Sequence, residues 1–147
     1  MSSTYHSLHC HWVCSTKERR PWIGSDWRES LHEYFGGTIC GLGGVPLSVG
    51  GVQDHVHALL GLKPTHCLSD FVRELKKATS VWVGAHFEQQ FAWQEDYAIF
   101  TVSASQVQVV KDYIARQEEH HRKGEFLVEL KQLLQKHGVS YDPAYLL

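Results

Sequence analysis

The sequence predicts an α+β domain in which an antiparallel sheet carries two helices on one face. Three observations lead there. Apolar residues recur with period two in three short stretches and with helical spacing in four others, a fourth strand reads from an aromatic and β-branched run, and the order along the chain is strand, helix, strand, strand, helix, strand, helix, helix. At 147 residues the chain has the length of one domain able to bury its own core. It contains no internal repeat, long linker or low-complexity segment, so a single domain over residues 1–147 is expected.

From Tyr5 to Cys14 the residues alternate, with Leu8, Cys10, Trp12 and Cys14 on one side and His9 and His11 on the other, as a strand with one core face requires. After Thr16-Lys17-Glu18-Arg19-Arg20-Pro21, Ser25 or Asp26 is placed to cap a helix. Leu31, Tyr34, Phe35, Thr38, Ile39 and Leu42 recur along it at helical spacing, and Gly41, Gly43 and Gly44 end it. Val45, Leu47 and Val49 alternate before Gly50-Gly51, and Val52, Val56, Ala58 and Leu60 after it. This predicts two adjacent strands joined by a tight turn at the glycines, with His55 and His57 together on the face opposite the apolar set.

Ser69 precedes a second amphipathic helix, with Leu68, Phe71, Val72, Leu75, Ala78, Thr79 and Trp82 inward, Arg73, Lys76 and Lys77 on the polar side, and Gly84 at its end. The aromatic and β-branched run from Tyr97 to Val102 reads as the last strand. Ser103-Ala104-Ser105-Gln106 has the form of a capping box. The helix it opens sets Val107, Val110 and Ile114 in a core stripe and Val109, Tyr113, Gln117 and His121 in an adjacent row at i, i+4 spacing. A final helix from about Glu125 to His137 turns Phe126, Leu127, Leu130, Leu133 and Leu134 inward. The expected arrangement is ferredoxin- or RRM-like: helices on one sheet face, the other face left for function, and the Tyr113 helix near it.

Lys and Arg number 14 against 16 acidic residues, a formal charge of −2, which excludes coating of duplex DNA by bulk positive charge. Any nucleic-acid surface is then a local patch. Cys10, Cys14, Cys40 and Cys67 form no C-x-x-C pair and read as reduced thiols. No window approaches the roughly 18 apolar residues of a membrane span, and the start lacks a basic segment followed by an apolar one. A cytoplasmic protein with no membrane partner is expected.

Period-two spacing lets His55 and His57 share a divalent ion, and it equally fits two hydrogen-bonded strand histidines. With 11 histidines in the chain, roughly one H-x-H triplet is expected by chance, and His9-Cys10-His11 serves as the internal control. Tyr113, beside an apolar helical stripe, fits a core-edge tyrosine with a wet hydroxyl as well as a nucleophile. Gln117 fits a solvated helix residue, although its amide oxygen is an acceptable neutral ligand for Mg²⁺ or Mn²⁺.

Asp54-His55-Val56-His57-Ala58-Leu59-Leu60 resembles the HUH motif, histidine–hydrophobe–histidine, of the single-tyrosine transposases encoded by small bacterial insertion sequences. Thr16-Lys17-Glu18-Arg19-Arg20 resembles the end of that family's first strand, Trp93 to Ser103 its last strand, and Tyr113 to His121 its nucleophile helix, so the resemblance spans nearly the whole chain. It is nearest to the REP-associated tyrosine transposases. The resemblance implies that His55, His57 and Gln117 bind Mg²⁺ or Mn²⁺, that Tyr113 is the nucleophile and Tyr97 is not, and that Val56 anchors the histidine strand. It further implies a homodimer that cuts and rejoins single-stranded DNA at hairpin-bearing ends through a 5′-phosphotyrosine.

Lys17, Arg19, Arg20, Arg73, Lys76 and Lys77 are candidate phosphate contacts and Trp93 a candidate base-stacking surface; the same residues also fit solvated charges and a core tryptophan. His120 and His121 are assigned no role. Two other functions fit the residues. One is a domesticated, noncatalytic nucleic-acid-binding protein of the same fold, although no RNP-like run is present; the other is a metal-dependent hydrolase that activates water at the same histidines.

Overall fold

The computed structural model describes residues 4–121 and 125–146. Its elements are β1 (His9–Ser15), α1 (Arg28–Gly41), β2 (Val45–Val52), β3 (His55–Gly61), α2 (Leu68–His86), β4 (Ala98–Val102), α3 (Val107–Ala115), α4 (Gln117–His121) and α5 (Phe126–Lys136). The sheet order is β2-β3-β1-β4 with every pairing antiparallel. This is the α+β arrangement expected from the order of periodic segments.

Alternation divides the sheet's residues between two cores. Cys10, Trp12 and Cys14 of β1 and Val56, Ala58 and Leu60 of β3 pack with Leu31, Phe35 and Ile39 of α1 and Phe71, Val72 and Leu75 of α2. Cys10 and Cys14 are thus buried apolar residues, and all four cysteines are free thiols. The opposite face carries Val13, Leu59, Phe100 and Val102, also apolar and buried. It is therefore not left open, as the sequence had suggested. Ile114, Val107 and Val110 of α3 cover Leu59 and Val102, while Phe126, Leu130 and Leu134 of α5 cover Val13 and Phe100.

Several boundaries differ from expectation for local reasons. β1 starts at His9, leaving Leu8 exposed. Trp27, not Ser25 or Asp26, precedes α1, and no side chain caps that helix. β2 runs through Gly50 and Gly51, and the turn falls on Gln53 and Asp54 because Val52 pairs with His55. The glycines serve close approach: a Cβ on Gly51 would lie 2.2 Å from the His55 carbonyl oxygen. α2 continues past Gly84 to His86, where a Cβ at Gly84 would meet nothing within 4 Å. Ser69 lies within α2, whose first residue Leu68 is exposed. The Ser103 segment forms a short 3₁₀ turn over Ala104–Gln106 without a side-chain cap. The helix expected to run unbroken to His121 stops at Ala115 and resumes at Gln117, with Arg116 at φ −105° and ψ 24° between. The side chains of His120 and His121 lie outside the described residues.

Candidate active site

β3 brings His55 and His57 onto one face, each with no exposed surface. Each imidazole is held by its Nδ1. That of His55 lies 2.7 Å from Asp54 Oδ1 at the hairpin turn, and that of His57 lies 2.8 Å from His11 Nε2 on β1. If each Nδ1 carries the proton, it donates outward and the Nε2 lone pairs face a common point; such outer partners fix the tautomer of metal-binding histidines. His11, half of the control triplet, is therefore part of the site. Burial first, and then the neighbouring His57, lower its pKa to about 3, so it stays neutral, and with its proton on Nδ1 its Nε2 accepts the bond.

α3 and α4 bring Tyr113 and Gln117 to the same point. Gly50 makes this approach close, since a Cβ there would sit 2.5 Å from the Ile114 carbonyl oxygen. Despite the break at Arg116, Gln117 is only 2% exposed and its Oε1 lies 3.2 Å from His55 Nε2. Gly50→Val should push α3 off the sheet, costing about 1–3 kcal/mol as overpacking does. Thermal unfolding measures this, and an unchanged midpoint would show that α3 does not depend on that glycine.

A further side chain, assigned no role from the sequence, completes the cluster. Glu129 of α5 is buried at 8% exposure. Its Oε1 lies 3.0 Å from His57 Nε2 and 3.4 Å from His55 Nε2, and its Oε2 accepts a hydrogen bond from the Tyr113 hydroxyl. The signal available in the sequence was an acidic residue inside the apolar stripe of Phe126, Leu130 and Leu134.

The electrostatics follow from burial among charges. Burial alone would lower the His55 pKa, but hydrogen bonds to Asp54 and Glu129 and the charge of both carboxylates outweigh it and raise it to about 9. Burial, then the charge and hydrogen bond of Glu129, push Tyr113 above the usual tyrosine range, so the phenol is protonated. One ligand atom from each of His55, His57 and Glu129 falls within 4.8 Å of the others, and Gln117 adds a carbonyl oxygen. Imidazole and oxygen donors in this grouping fit one divalent ion.

An ion competes with the His55 proton for Nε2. Because that pKa is raised, apparent Mn²⁺ affinity should climb with pH between about pH 6 and 8, by about tenfold per unit for one released proton. Calorimetric titration at several pH values checks this; a flat profile would show that no proton leaves on binding.

A family described as IS200-like transposases matches residues 4–117, which includes His55, His57, Tyr113 and Gln117. The chain belongs to this family. Two solved structures share the transposase fold. A candidate transposase from Deinococcus radiodurans R1 is 24% identical, with a TM-score of 0.66 over 80% of this chain and 95% of that one. A REP-associated tyrosine transposase bound to a REP hairpin is 15% identical, with a TM-score of 0.60 over 82% of this chain and 74% of that one. At these identities the likeness is one of fold. No curated protein matches the chain.

Other residues considered for this transposase fall away from the cluster. Trp93 is no stacking platform: it packs in the core under α1 and α2, and its Nε1 donates to Thr79 Oγ1 at 2.9 Å. Arg73, Lys76 and Lys77 lie on α2, which packs on the sheet face opposite the histidines. Lys76 donates to the carbonyls of Gln94 and Glu95 at 2.5 and 2.8 Å and lies 5.9 Å from the Tyr97 ring. Arg73 pairs with Asp70 and Glu74, and Arg20 with Glu18, while Lys17, Arg19 and Lys77 are exposed. Tyr113 is reached from outside through a cavity of about 600 Å³ between α3 and α5, also lined by His11, Val102, Gln106, Glu129 and Gln132. No helix among the described residues is long and apolar enough to cross a membrane.

Proposed function

We propose that this chain, acting as one domain over residues 1–147, is a metal-dependent transposase that cuts and rejoins single-stranded DNA at hairpin-bearing ends. Its nucleophile is Tyr113, and His55, His57 and Gln117 hold Mg²⁺ or Mn²⁺. One observation carries the reading: the Tyr113 hydroxyl bonds the same carboxylate that meets both histidine Nε2 atoms, so nucleophile and ion donors share one buried point. A tyrosine at a core edge would not need that company.

Bound there, the ion supplies electrophilic pull on the scissile phosphate. Asp54 and His11 keep the imidazoles turned toward it. The Tyr113 phenol gives up its proton through Glu129 Oε2, which accepts its hydrogen bond, and its oxygen bonds to phosphorus. The P–O3′ bond breaks, and the departing oxygen takes up a proton to leave as a 3′-hydroxyl. The 5′-phosphotyrosine retains the energy of the broken bond, so a second 3′-hydroxyl rejoins the strand without a nucleotide cofactor.

The cavity beside Tyr113 gives the strand an approach. The fold shared with a hairpin-bound transposase supports hairpin recognition. Exposed Lys17 and Arg19, with Arg20, Arg73, Lys76 and Lys77, are the proposed phosphate contacts, secondary to shape because most of them are engaged or lie behind the sheet. The proposal includes a cytoplasmic homodimer, for which the family resemblance is the support.

The test is cleavage of labelled single-stranded hairpins taken from the flanks of the gene. The expected product is a nicked strand with a free 3′-hydroxyl, formed with Mg²⁺ or Mn²⁺ and suppressed by a chelator. Cleavage that survives chelation would overturn the ion's role. Hairpin binding without cleavage would select the noncatalytic nucleic-acid-binding protein instead.

A further inference from the structure

We infer that Glu129 is a fourth protein ligand of the divalent ion and positions Tyr113 beside it. The inference rests on the reading of His55, His57 and Gln117 as ion donors, and it adds a residue that lies beyond the family match, which ends at Gln117.

A carboxylate is costly to bury unless it is paired; Glu129 is paired here with the two histidine Nε2 atoms, the same atoms that would hold the ion. α5 is seated by Phe126, Leu130 and Leu134 against Val13 and Phe100, with the Phe126 ring 4.4 Å from the His55 ring. That seating delivers Glu129 to the histidines from the side opposite the sheet. A carboxylate serving only to neutralise His55 would lean toward it. Instead Oε1 lies nearer His57, at 3.0 Å against 3.4 Å for His55, and sits between the two Nε2 atoms. Both Nε2 atoms are the ones left to bind an ion once Asp54 and His11 have taken the Nδ1 atoms. The carboxylate therefore occupies a corner of the donor set.

The two oxygens divide the work. Oε1 faces the ion donors and Oε2 holds the Tyr113 hydroxyl, so one carboxylate spans ion and nucleophile. A neutral set of two imidazoles and an amide oxygen gains one hard anionic donor, which favours Mg²⁺ and Mn²⁺. Four protein ligands would still leave the ion open to water or phosphate oxygens.

The experiment is electron–nuclear spin resonance on Mn²⁺ bound to protein carrying ¹³C at its glutamate carboxyls, compared with Glu129→Gln, which keeps the side chain's shape. The expected spectrum shows histidine nitrogen couplings together with a carboxyl carbon coupling that disappears in E129Q. Nitrogen couplings without the carbon coupling would overturn Glu129 as a ligand and leave the histidine site standing. Absence of the nitrogen couplings would instead overturn the histidine site itself. Calorimetry should show Mn²⁺ binding weakened about tenfold or more in E129Q, the scale on which metal sites respond to losing a supporting group. The positioning role predicts slower adduct formation by E129Q at saturating Mn²⁺; an unchanged rate there would remove it.

Discussion

Tyr113→Phe should abolish the covalent protein–DNA adduct while leaving DNA and ion binding intact. The substitution removes only the hydroxyl, and the ring keeps its contacts with His11 and His57, whose centroids lie 6.1 and 5.8 Å away. Glu129 loses one hydrogen bond but keeps both histidines, so the fold should lose only about 1 kcal/mol. Adduct formation should fall by at least about 10³-fold, as for other enzymes stripped of their nucleophile. Denaturing gels on labelled hairpins measure it. The hydrolase alternative predicts unchanged cleavage in this variant, because an activated water needs no phenol.

His57→Ala should act differently. It removes an ion donor and takes away the hydrogen-bond partner of buried His11 Nε2, while Glu129 Oε1 keeps His55 Nε2 at 3.4 Å. A stability loss of about 1–3 kcal/mol follows from the unmet hydrogen bond. Ion affinity should fall by about 10–100-fold or more. The resulting signature is cleavage lost at limiting Mn²⁺ and partly recovered as Mn²⁺ is raised, because Tyr113 remains. Full activity at limiting Mn²⁺ would count against His57 as a ligand.

The parts of this site that could be read from the chain were those set by local period. Alternation in β1 and β3 separates Cys10, Trp12 and Cys14 from His11, and Val56 and Ala58 from His55 and His57, before any tertiary contact is known. The i, i+4 spacing of Tyr113 and Gln117 also survived the break at Arg116, because both side chains still reach the histidine face. What escaped depended on segments far apart in sequence. Gly50-Gly51 has the composition of a turn, and only the carbonyl of Ile114, much later in the chain, shows that it is a docking seat. His11 looked like a chance triplet because its partner, His57, is only a diagonal neighbour across the β1–β3 register, which sets His11 opposite Leu59 and Val13 opposite His57.

The covered sheet face was legible in principle. Val13, Leu59, Phe100 and Val102 form an apolar surface that needs a cover, and the stripe of Phe126, Leu130 and Leu134 needs a surface. Matching the two would have placed α5, and with it Glu129, on the site. Trp93 escaped for the opposite reason: a tryptophan in an irregular segment carries no period to reveal which way it faces, and its bond to Thr79 exists only in the fold.

The central claim is that Tyr113 becomes covalently joined to DNA. Incubating the protein with Mn²⁺ and single-stranded hairpins from its gene's flanks, then digesting it and mapping the denaturant-resistant adduct by mass spectrometry, tests this directly. The account predicts a 5′-phosphodeoxynucleotide on the peptide containing Tyr113. An adduct on Tyr97 or any other residue, or a cleaved hairpin with no adduct, would contradict it.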